Sequence, residues 1–425
     1  MKLVSEITVA LKKATLSQLV EKFSQNGCLL KSLNLYDSKD HENAYICELV
    51  YQKSSQLLNC VESLKNSDKF VFISTSSPFE KSLAGGLLDI SGKLPFDTAQ
   101  DYEINVLGGA EIINDKILNG NEEYCGIENM TANVCAVTGG GASKSKLYLA
   151  HTMAERDSLI MKKFTGINCV PLSFRAEHPE DCLRHLRNSS VGFKAMRILD
   201  VEGARGSFYS QLLNDFPLPL IIKELDEMPL YILSLVNKCV RRHRFDPAET
   251  NIGILGIDNG IIRLTRLFRR TGFSRVLGHD ADERTLLEFE NEDGLATTRE
   301  NILGNADLVI IVEDDFNKQD LAVMRPGQLV ISILRDNEIH KELLSNSSAK
   351  EFVQGSHDDL ALIFPGLLQG LINAGLSFFD DTRLIELAEK IAKFLSDDYN
   401  FPESPGSIVG MISDFIVLSG YPQSY

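Results

Sequence analysis

A strand, a glycine-bearing turn and an amphipathic helix follow one another in residues 251–272, NIGILGIDNGIIRLTRLFRRTG. This order is typical of the first βα unit of a Rossmann-type domain, in which a buried strand of a parallel sheet leads into a helix. Further strand patterns occur at residues 275–278, 308–312 and 329–334, with helical patterns between them. Strands that alternate with helices predict an α/β fold with a doubly wound parallel sheet.

The turn itself departs from the dinucleotide-binding pattern. Such a turn uses three glycines: for the tight turn, for the close approach of the pyrophosphate, and for packing of helix on strand. Gly256 and Gly260 are present, but the close-approach position is Asp258 and the third is Ile261. Asp280 lies at the distance along the chain where an acid would bind a ribose hydroxyl. Two interpretations stay open: an NAD site weakened by a carboxylate that repels the pyrophosphate, or a fold kept for its core in which Asp258 only caps the helix.

The first 75 residues follow a different plan. Period-two and helical patterns predict the order βαββαβ, the ferredoxin-like split unit. The predicted strands are residues 3–11, 29–36, 44–51 and 70–74, and the predicted helices are residues 15–25 and 54–65. This unit resembles an ACT domain, a small-molecule-sensing module of metabolic enzymes. The glycine that helps to form the effector site in such modules is Ala14 here. A small-molecule effector site and a packing module that helps dimerisation are both consistent with the pattern.

Composition excludes several classes of function. A net charge of −16 argues against nucleic-acid partners. No apolar run is long enough for a membrane helix, and the charged N-terminus is unlike a secretory signal, so no membrane association is expected. The eight cysteines include no CxxC pair, which argues against a zinc site or a disulfide framework and favours a cytoplasmic location.

Four stretches between residues 83 and 395 resemble, in order, segments of the malic enzyme family, in particular its bacterial, NAD(P)-dependent members. They are LAGGLLDISGKLPFDTAQDYEINVLGGAEIIND, HTMAERDSLIMKKFTGINCVPLSF, RILDVEGARGSFYSQLLNDFPLPLI and GSHDDLALIFPGLLQGLINAGL. The resemblance implies an ACT-like domain at 1–75, a substrate domain at 76–240, and a Rossmann-like NAD(P)-binding domain with C-terminal helices at 241–425. It also implies the family reaction, the oxidative decarboxylation of malate to pyruvate with NAD(P) and Mg or Mn.

The two proton-transferring positions that the resemblance implies are substituted. The family's tyrosine matches Val106, which has no proton to give, and the family's lysine matches Asp157. A carboxylate is shorter than a lysine and would repel the malate dianion. The alternative interpretation of Asp157 is a helix residue that forms an ion pair with Arg156 or Lys162.

The implied metal positions are changed as well. The family's adjacent Glu-Asp pair matches Leu199 and Asp200, and the third ligand comes from a stretch that matches Ile222, Lys223 and Glu224. Asp200 and Glu224 are therefore the candidate metal ligands. Two carboxylates beside a lysine make a poor site for a hard divalent cation, so Mg or Mn is not expected. The alternative is an ion pair between Asp200 and Lys223.

These substitutions together predict a member of the family that keeps the fold and lacks the family reaction. The matched substrate-binding asparagines are also absent: Leu334-Arg335 and Asp359-Leu360 stand in their places. The leading hypothesis is a binding or regulatory protein that associates with itself or with an active malic-enzyme relative. The alternatives are an enzyme whose new acids accept a cationic or neutral substrate, and a residual NAD-dependent malic-type oxidoreductase. NAD is the candidate cofactor, with weak binding expected because of Asp258.

Overall fold

The computed structural model describes residues 3–36, 43–76, 98–120, 132–139, 142–176, 178–190, 193–200, 218–312, 316–333, 349–355, 360–377, 380–401 and 404–420. The chain divides into two units, Met1–Asp89 and Ile90–Tyr425. Asp359 of the matched pair Asp359-Leu360, and the matched pair Leu334-Arg335, lie outside the described residues. None of the described helices combines the length and apolar character needed to span a membrane.

The first unit contains the six elements that the sequence predicts. They are β1 (Leu3–Leu11), α1 (Leu16–Gln25), β2 (Leu29–Tyr36), β3 (Ala44–Tyr51), α2 (Ser54–Lys65) and β4 (Phe70–Ser76). The strands form an antiparallel sheet in the order β2-β3-β1-β4. This is the ferredoxin-like topology, in which the two βαβ halves interleave. The resemblance to an ACT domain, with its effector site, stays a prediction.

Alternating side chains of this sheet form the core of the first unit. Ile7 and Val9 of β1 are buried against Leu19 and Phe23 of α1. Helix α1 begins at a capping box, in which Thr15 accepts a hydrogen bond from the backbone of the residue three positions on and Gln18 bonds back to the cap. Local capping and the period-two pattern thus agree, which explains why the sequence predicted this unit well.

The second unit begins with helical segments and a four-stranded sheet. The elements are α3 (Ala99–Asp101), a π-helical turn (Tyr102–Gly108), α4 (Gly109–Leu118), β5 (Ala132–Gly139), α5 (Lys144–Thr165), β6 (Cys169–Ala176), α6 (Pro179–Ser189), β7 (Ala195–Asp200), β8 (Leu220–Ile222) and a second π-helical turn (Lys223–Glu227). All four strands are parallel, in the order β6-β5-β7-β8. Their carboxyl ends therefore share one edge of the sheet, where functional groups of such sheets are usually placed.

The remainder of the second unit is a doubly wound domain with C-terminal helices. Its elements are α7 (Met228–His243), β9 (Asn251–Leu255), α8 (Asn259–Arg270), β10 (Arg275–His279), α9 (Glu283–Asn291), β11 (Leu295–Ala296), α10 (Arg299–Asn305), β12 (Leu308–Ile311), α11 (Lys318–Val323), β13 (Leu329–Ser332), β14 (Glu351–Gln354), α12 (Ile363–Ala374), α13 (Asp381–Phe394) and α14 (Pro405–Gly420). The six parallel strands have the order β11-β10-β9-β12-β13-β14. The chain direction across the sheet reverses between β9 and β12, beside the turn that follows β9. The predicted doubly wound parallel sheet is confirmed.

One apolar core joins the two sheets of the second unit. Its buried side chains include Ala132 and Ala195 from the first sheet and Ile252 and Leu308 from the second. Helix α7 packs between them, with nine buried residues from Pro229 to Cys239. The predicted domain boundary at residue 240 therefore falls inside a helix. An apolar stripe on α13, with Leu384, Leu387 and Ile391, also faces this core and is buried.

Candidate functional site

Asp157 lies in the middle of the long helix α5. The helix begins at Ser143, which accepts a hydrogen bond from the backbone N–H of Lys146, and ends at Gly166 with φ +74°. One face of α5 is buried, and Asp157 shares it with small and apolar residues such as Ala154 and Met161. The side chain of Asp157 is completely inaccessible to solvent. A buried carboxylate costs free energy unless its charge is paired, so the groups around it decide its role.

Arg197 of β7 pairs with Asp157 and with a second carboxylate. Its Nε donates to Glu227 Oε1 at 2.6 Å and its Nη2 to Glu227 Oε2 at 2.8 Å, a bidentate arrangement. Its Nη1 donates to Asp157 Oδ2. The guanidinium lies over the ring of Phe364 at 3.9 Å from the centroid. Four segments, α5, β7, the second π-helical turn and α12, therefore meet at one buried guanidinium.

Arg156 engages the remaining oxygen of Asp157. Its Nε and Nη2 both lie 2.7 Å from Asp157 Oδ1. Of the two partners that the sequence suggested, the structure places Arg156 at Asp157, while Lys162 donates to the backbone carbonyl of Gly166 at 3.0 Å. We call Asp157, Arg197, Glu227 and Arg156 the buried ion cluster. It contains two carboxylates and two guanidinium groups, so its formal charges cancel.

Electrostatic forces inside the buried ion cluster favour the charged form of Arg197. Burial by itself would lower the pKa of Arg197, but Glu227 and Asp157 outweigh that effect and hold the Arg197 pKa above its ordinary value. A guanidinium is already protonated at every relevant pH. Burial raises the pKa of Glu227 above its ordinary value, although the nearby Arg197 acts against that shift. The pairing therefore holds Arg197 as the charged centre of the cluster.

Several of the other predicted positions are described only in part. Val106 lies in the first π-helical turn, and its side chain is outside the described ones. Asp200 ends β7 and Glu224 lies just after β8, so their backbones share the carboxyl edge of neighbouring strands. Their side chains are also outside the described ones. Metal ligation by Asp200 and Glu224 stays a prediction.

The matched metal position Leu199 is fully described. Its side chain is 1% exposed and lies in an apolar cluster with Val134, Ala136 and Ala150. An aliphatic side chain in such surroundings supplies no oxygen to a divalent cation. In the described part of the chain, no three His, Cys, Asp or Glu side chains converge in a way that could hold a metal ion.

The turn after β9 has the backbone of a dinucleotide-binding turn. Gly256 has φ +85°, a conformation that favours glycine, and its N–H donates to the His279 carbonyl at 3.0 Å. Gly260 is buried in the first turn of α8. Asp258 is the N-cap of α8, and its Oδ1 accepts the Ile261 N–H at 2.8 Å. Burial raises the Asp258 pKa, although the N–H groups at the helix start act against that shift.

The Asp280 side chain forms hydrogen bonds to the backbone at the turn after β9. Its Oδ2 accepts the N–H of Ile257 at 2.8 Å, and its Oδ1 accepts the N–H of Asp282 at 2.8 Å. The predicted ribose-binding acid is thus bonded to the backbone of the glycine turn. A dinucleotide at this turn needs free N–H groups for its pyrophosphate and a free acid for its ribose. Two carboxylates already engage these groups, so a dinucleotide at this turn would have to displace them.

Arg263 of α8 connects the doubly wound domain to the second π-helical turn. It donates to the Leu225 carbonyl at 3.0 Å and to Asp226, and it pairs with Asp381 of α13 at 3.2 Å. Arg266 contacts the same Asp381 carboxylate at 2.8 Å. Burial would raise the Asp381 pKa, but Arg266 and Arg263 outweigh it and lower the pKa below its ordinary value.

Sequence reasoning missed Arg197, Glu227, Arg263 and Asp381. One local signal was available, because Arg197 is a charged residue inside the otherwise apolar strand AMRILD. A charge at a buried strand position requires a buried partner. The identity of that partner depends on contacts between residues 30 and 40 positions apart, which a single sequence does not reveal.

Comparisons with known proteins agree with this architecture. No family model matches the chain. NAD-dependent malic enzyme 1 of Bacillus subtilis (strain 168) is 21% identical over 318 residues, which cover 72% of each protein. The malic enzyme of Entamoeba histolytica has a TM-score of 0.65 at 14% identity, covering 80% of this chain and 79% of that one. The NAD-dependent malic enzyme of Thermotoga maritima has a TM-score of 0.63 at 14% identity, covering 79% and 97%.

The solved structures establish the shared fold, and the Bacillus relative adds similarity of sequence across most of the chain. The resemblance of the four ordered stretches between residues 83 and 395 points to the same group of proteins. The chain is therefore similar in sequence to a bacterial malic enzyme over most of its length, and it shares the fold of solved malic enzymes.

Proposed function

We propose that this protein keeps the malic enzyme fold without the family's turnover of malate, and that it acts as a binding or regulatory protein. The observation that carries the proposal is the buried ion cluster. Asp157 stands at the position that the resemblance assigns to the family's general base. Its carboxylate is buried, and its two oxygens accept from the buried Arg197 and the half-exposed Arg156.

A general base must reach the proton that it removes, at hydrogen-bond distance or through one water molecule. Asp157 could do so only after leaving Arg197 and Arg156. Separating a buried ion pair leaves uncompensated charges and costs about 3–5 kcal/mol. A base that must first meet that cost would act slowly at best, even if the malate dianion approached against its charge.

The two other substituted positions support the same proposal. Val106 has no proton for an enolate, and Leu199 has no oxygen for a metal and is buried among apolar side chains. Acid–base and electrostatic groups each contribute a factor of about 10² or more to rate. Loss of the acid, the base and a metal ligand together removes turnover at enzymatic rates. Mg or Mn is accordingly not expected as a resident ion.

The similarity to an NAD-dependent malic enzyme favours one alternative. A residual or altered-specificity oxidoreductase would use NAD and act on malate or on a related, less acidic substrate. In that case the side chains of Asp200 and Glu224, which lie outside the described ones, would bind the metal or the substrate. This alternative predicts a measurable rate, and the proposal predicts none.

Self-association, or association with an active malic-enzyme relative, is the partner class that fits a retained fold without turnover. The ferredoxin-like unit is the proposed place for a small-molecule effector. Light scattering of the purified full chain, with and without a panel of amino acids, measures self-association and any change that an effector causes in it. A chain that stays monomeric with every amino acid of the panel would contradict self-association and its control by an effector.

The test of the proposal is a turnover assay of the purified full chain. Malate is supplied with NAD or NADP and with Mn or Mg, and pyruvate and reduced cofactor are both measured. We expect no pyruvate above the level of a heat-denatured sample. Pyruvate formation at ordinary enzyme rates, lost in Asp157→Asn, would overturn the proposal. A rate that is unchanged in Asp157→Asn would favour the altered enzyme.

A further inference from the structure

The turn after β9 holds its own negative charges where a dinucleotide would place its phosphates. The start of a helix attracts anions because its first N–H groups lack partners and its dipole is positive there. In this turn the Asp258 carboxylate accepts the Ile261 N–H, and the Asp280 carboxylate accepts the Ile257 N–H. Two donors that a pyrophosphate approaching this turn would meet are therefore already engaged.

We infer that Asp258 is an internal competitor for the dinucleotide pyrophosphate, and that it sets the affinity of this domain for NAD. The carboxylate and the pyrophosphate compete for the same N–H group and repel each other at close range. The turn keeps the left-handed conformation at Gly256 and a buried Gly260 in the first turn of the helix, while Ile261 stands at the third glycine position. Removal of the Asp258 side chain would therefore free one of the two engaged N–H groups and remove one of the two carboxylates.

The inference concerns binding and does not depend on whether malate is converted. A protein could bind NAD and lack the acid, the base and the metal. The converse also holds, since a turn closed by Asp258 would keep NAD out even if a catalytic group outside the described residues were intact. The turnover assay can therefore contradict the proposed function without contradicting this inference, and a binding measurement can do the reverse.

The residue exchange that tests the inference is Asp258→Gly. It removes the carboxylate, frees the Ile261 N–H and supplies the small residue that the close-approach position normally has. Glycine is tolerated at an N-cap, so the variant should fold. Asp258→Asn is the second variant: it keeps a capping oxygen and removes the charge, and it should fold with the cap in place.

The matched control is Asp282→Gly. Asp282 is the N-cap of α9, where it accepts the Arg284 N–H at 3.1 Å and the Thr285 hydroxyl at 3.0 Å. This variant removes the same charge and the same kind of cap from the neighbouring helix. Its backbone N–H still reaches Asp280, so the turn stays closed.

The measurement is isothermal titration calorimetry of the full-length variants with NAD. We expect weak binding to the natural protein, binding at least about tenfold tighter to Asp258→Gly, and an intermediate gain for Asp258→Asn, because a like charge near the pyrophosphate is removed in both. Asp282→Gly should match the natural protein. Equal affinity of the natural protein and Asp258→Gly, no binding by any variant, or an equal gain in Asp282→Gly would each overturn the inference.

Discussion

The buried ion cluster and the turn after β9 both place aspartate where the resemblance implies a different residue, but the two carboxylates are held in different ways. Asp157 is buried and paired with guanidinium groups from two elements. Asp258 is bonded to backbone N–H groups of its own helix. The first arrangement ties distant parts of the chain together, whereas the second is local. Substitutions in the two places should therefore differ in cost to stability and in effect on ligands.

The largest effect is expected for Arg197→Met. This change leaves Asp157 and Glu227 without their shared cation in a buried place and removes the stacking on Phe364. We expect the free energy of unfolding to fall by about 3–5 kcal/mol. Urea denaturation measures this loss. A matched variant, Arg197→Lys, keeps the charge but not the bidentate geometry and should lose less. A loss below about 1 kcal/mol in Arg197→Met would show that the cluster contributes little.

A smaller effect is expected for Asp381→Asn. Asp381 accepts from Arg263, Arg266 and Arg270, and its loss leaves three guanidinium groups without that partner. We expect about 1–3 kcal/mol of destabilisation near pH 7. Because the folded pKa of Asp381 is lowered, this contribution is present above its unfolded pKa of about 3.9 and is lost as pH falls through the folded value.

The difference in stability between the natural protein and Asp381→Asn should therefore shrink as the pH is lowered below about 4. Urea denaturation at several pH values follows that difference. If the difference stayed constant down to the lowest pH at which both proteins fold, the ion pairs with Arg263 and Arg266 would not be its source.

The smallest loss of stability is expected at the N-cap of α8. Asp258→Ala removes the cap and should lower the free energy of unfolding by about 1 kcal/mol. Asp258→Gly should lower it by only about a few tenths of a kcal/mol. Thermal denaturation of the two variants measures this order. A loss of several kcal/mol in Asp258→Gly would mean that the carboxylate supports more than its own helix, which would remove the contrast with Asp157.

The ferredoxin-like sheet and the doubly wound sheet were predicted well from the sequence, whereas the ion-pair contacts were not. The ferredoxin-like unit was predicted because its caps, turns and period-two strands are local signals, as in the capping box at Thr15. The doubly wound sheet was predicted for the same reason, except for β11 and β14. Strand β11 has only two residues, Leu295–Ala296, which is too short to show a pattern.

For the candidate site, the sequence predicted which positions matter but not which residues they contact. Residue type alone led to the prediction that Val106, Asp157 and Leu199 do not perform the implied chemistry. The partners could not be predicted, since Arg197 lies 40 residues from Asp157 and 30 from Glu227 along the chain. Both interpretations of Asp258 were compatible with its residue type. The structure adds that it caps α8 and that Asp280 turns toward the same loop.

The central claim is that Asp157 is committed to the buried ion cluster and is not available for chemistry. A double-mutant cycle between Asp157→Asn and Arg197→Met, measured by urea denaturation, tests it most directly. We predict a coupling free energy of about 1–3 kcal/mol, because each substitution removes one of the two charged partners of the other residue in a buried place. Coupling below about 0.3 kcal/mol would mean that the two residues act independently, and Asp157 would return as a candidate base.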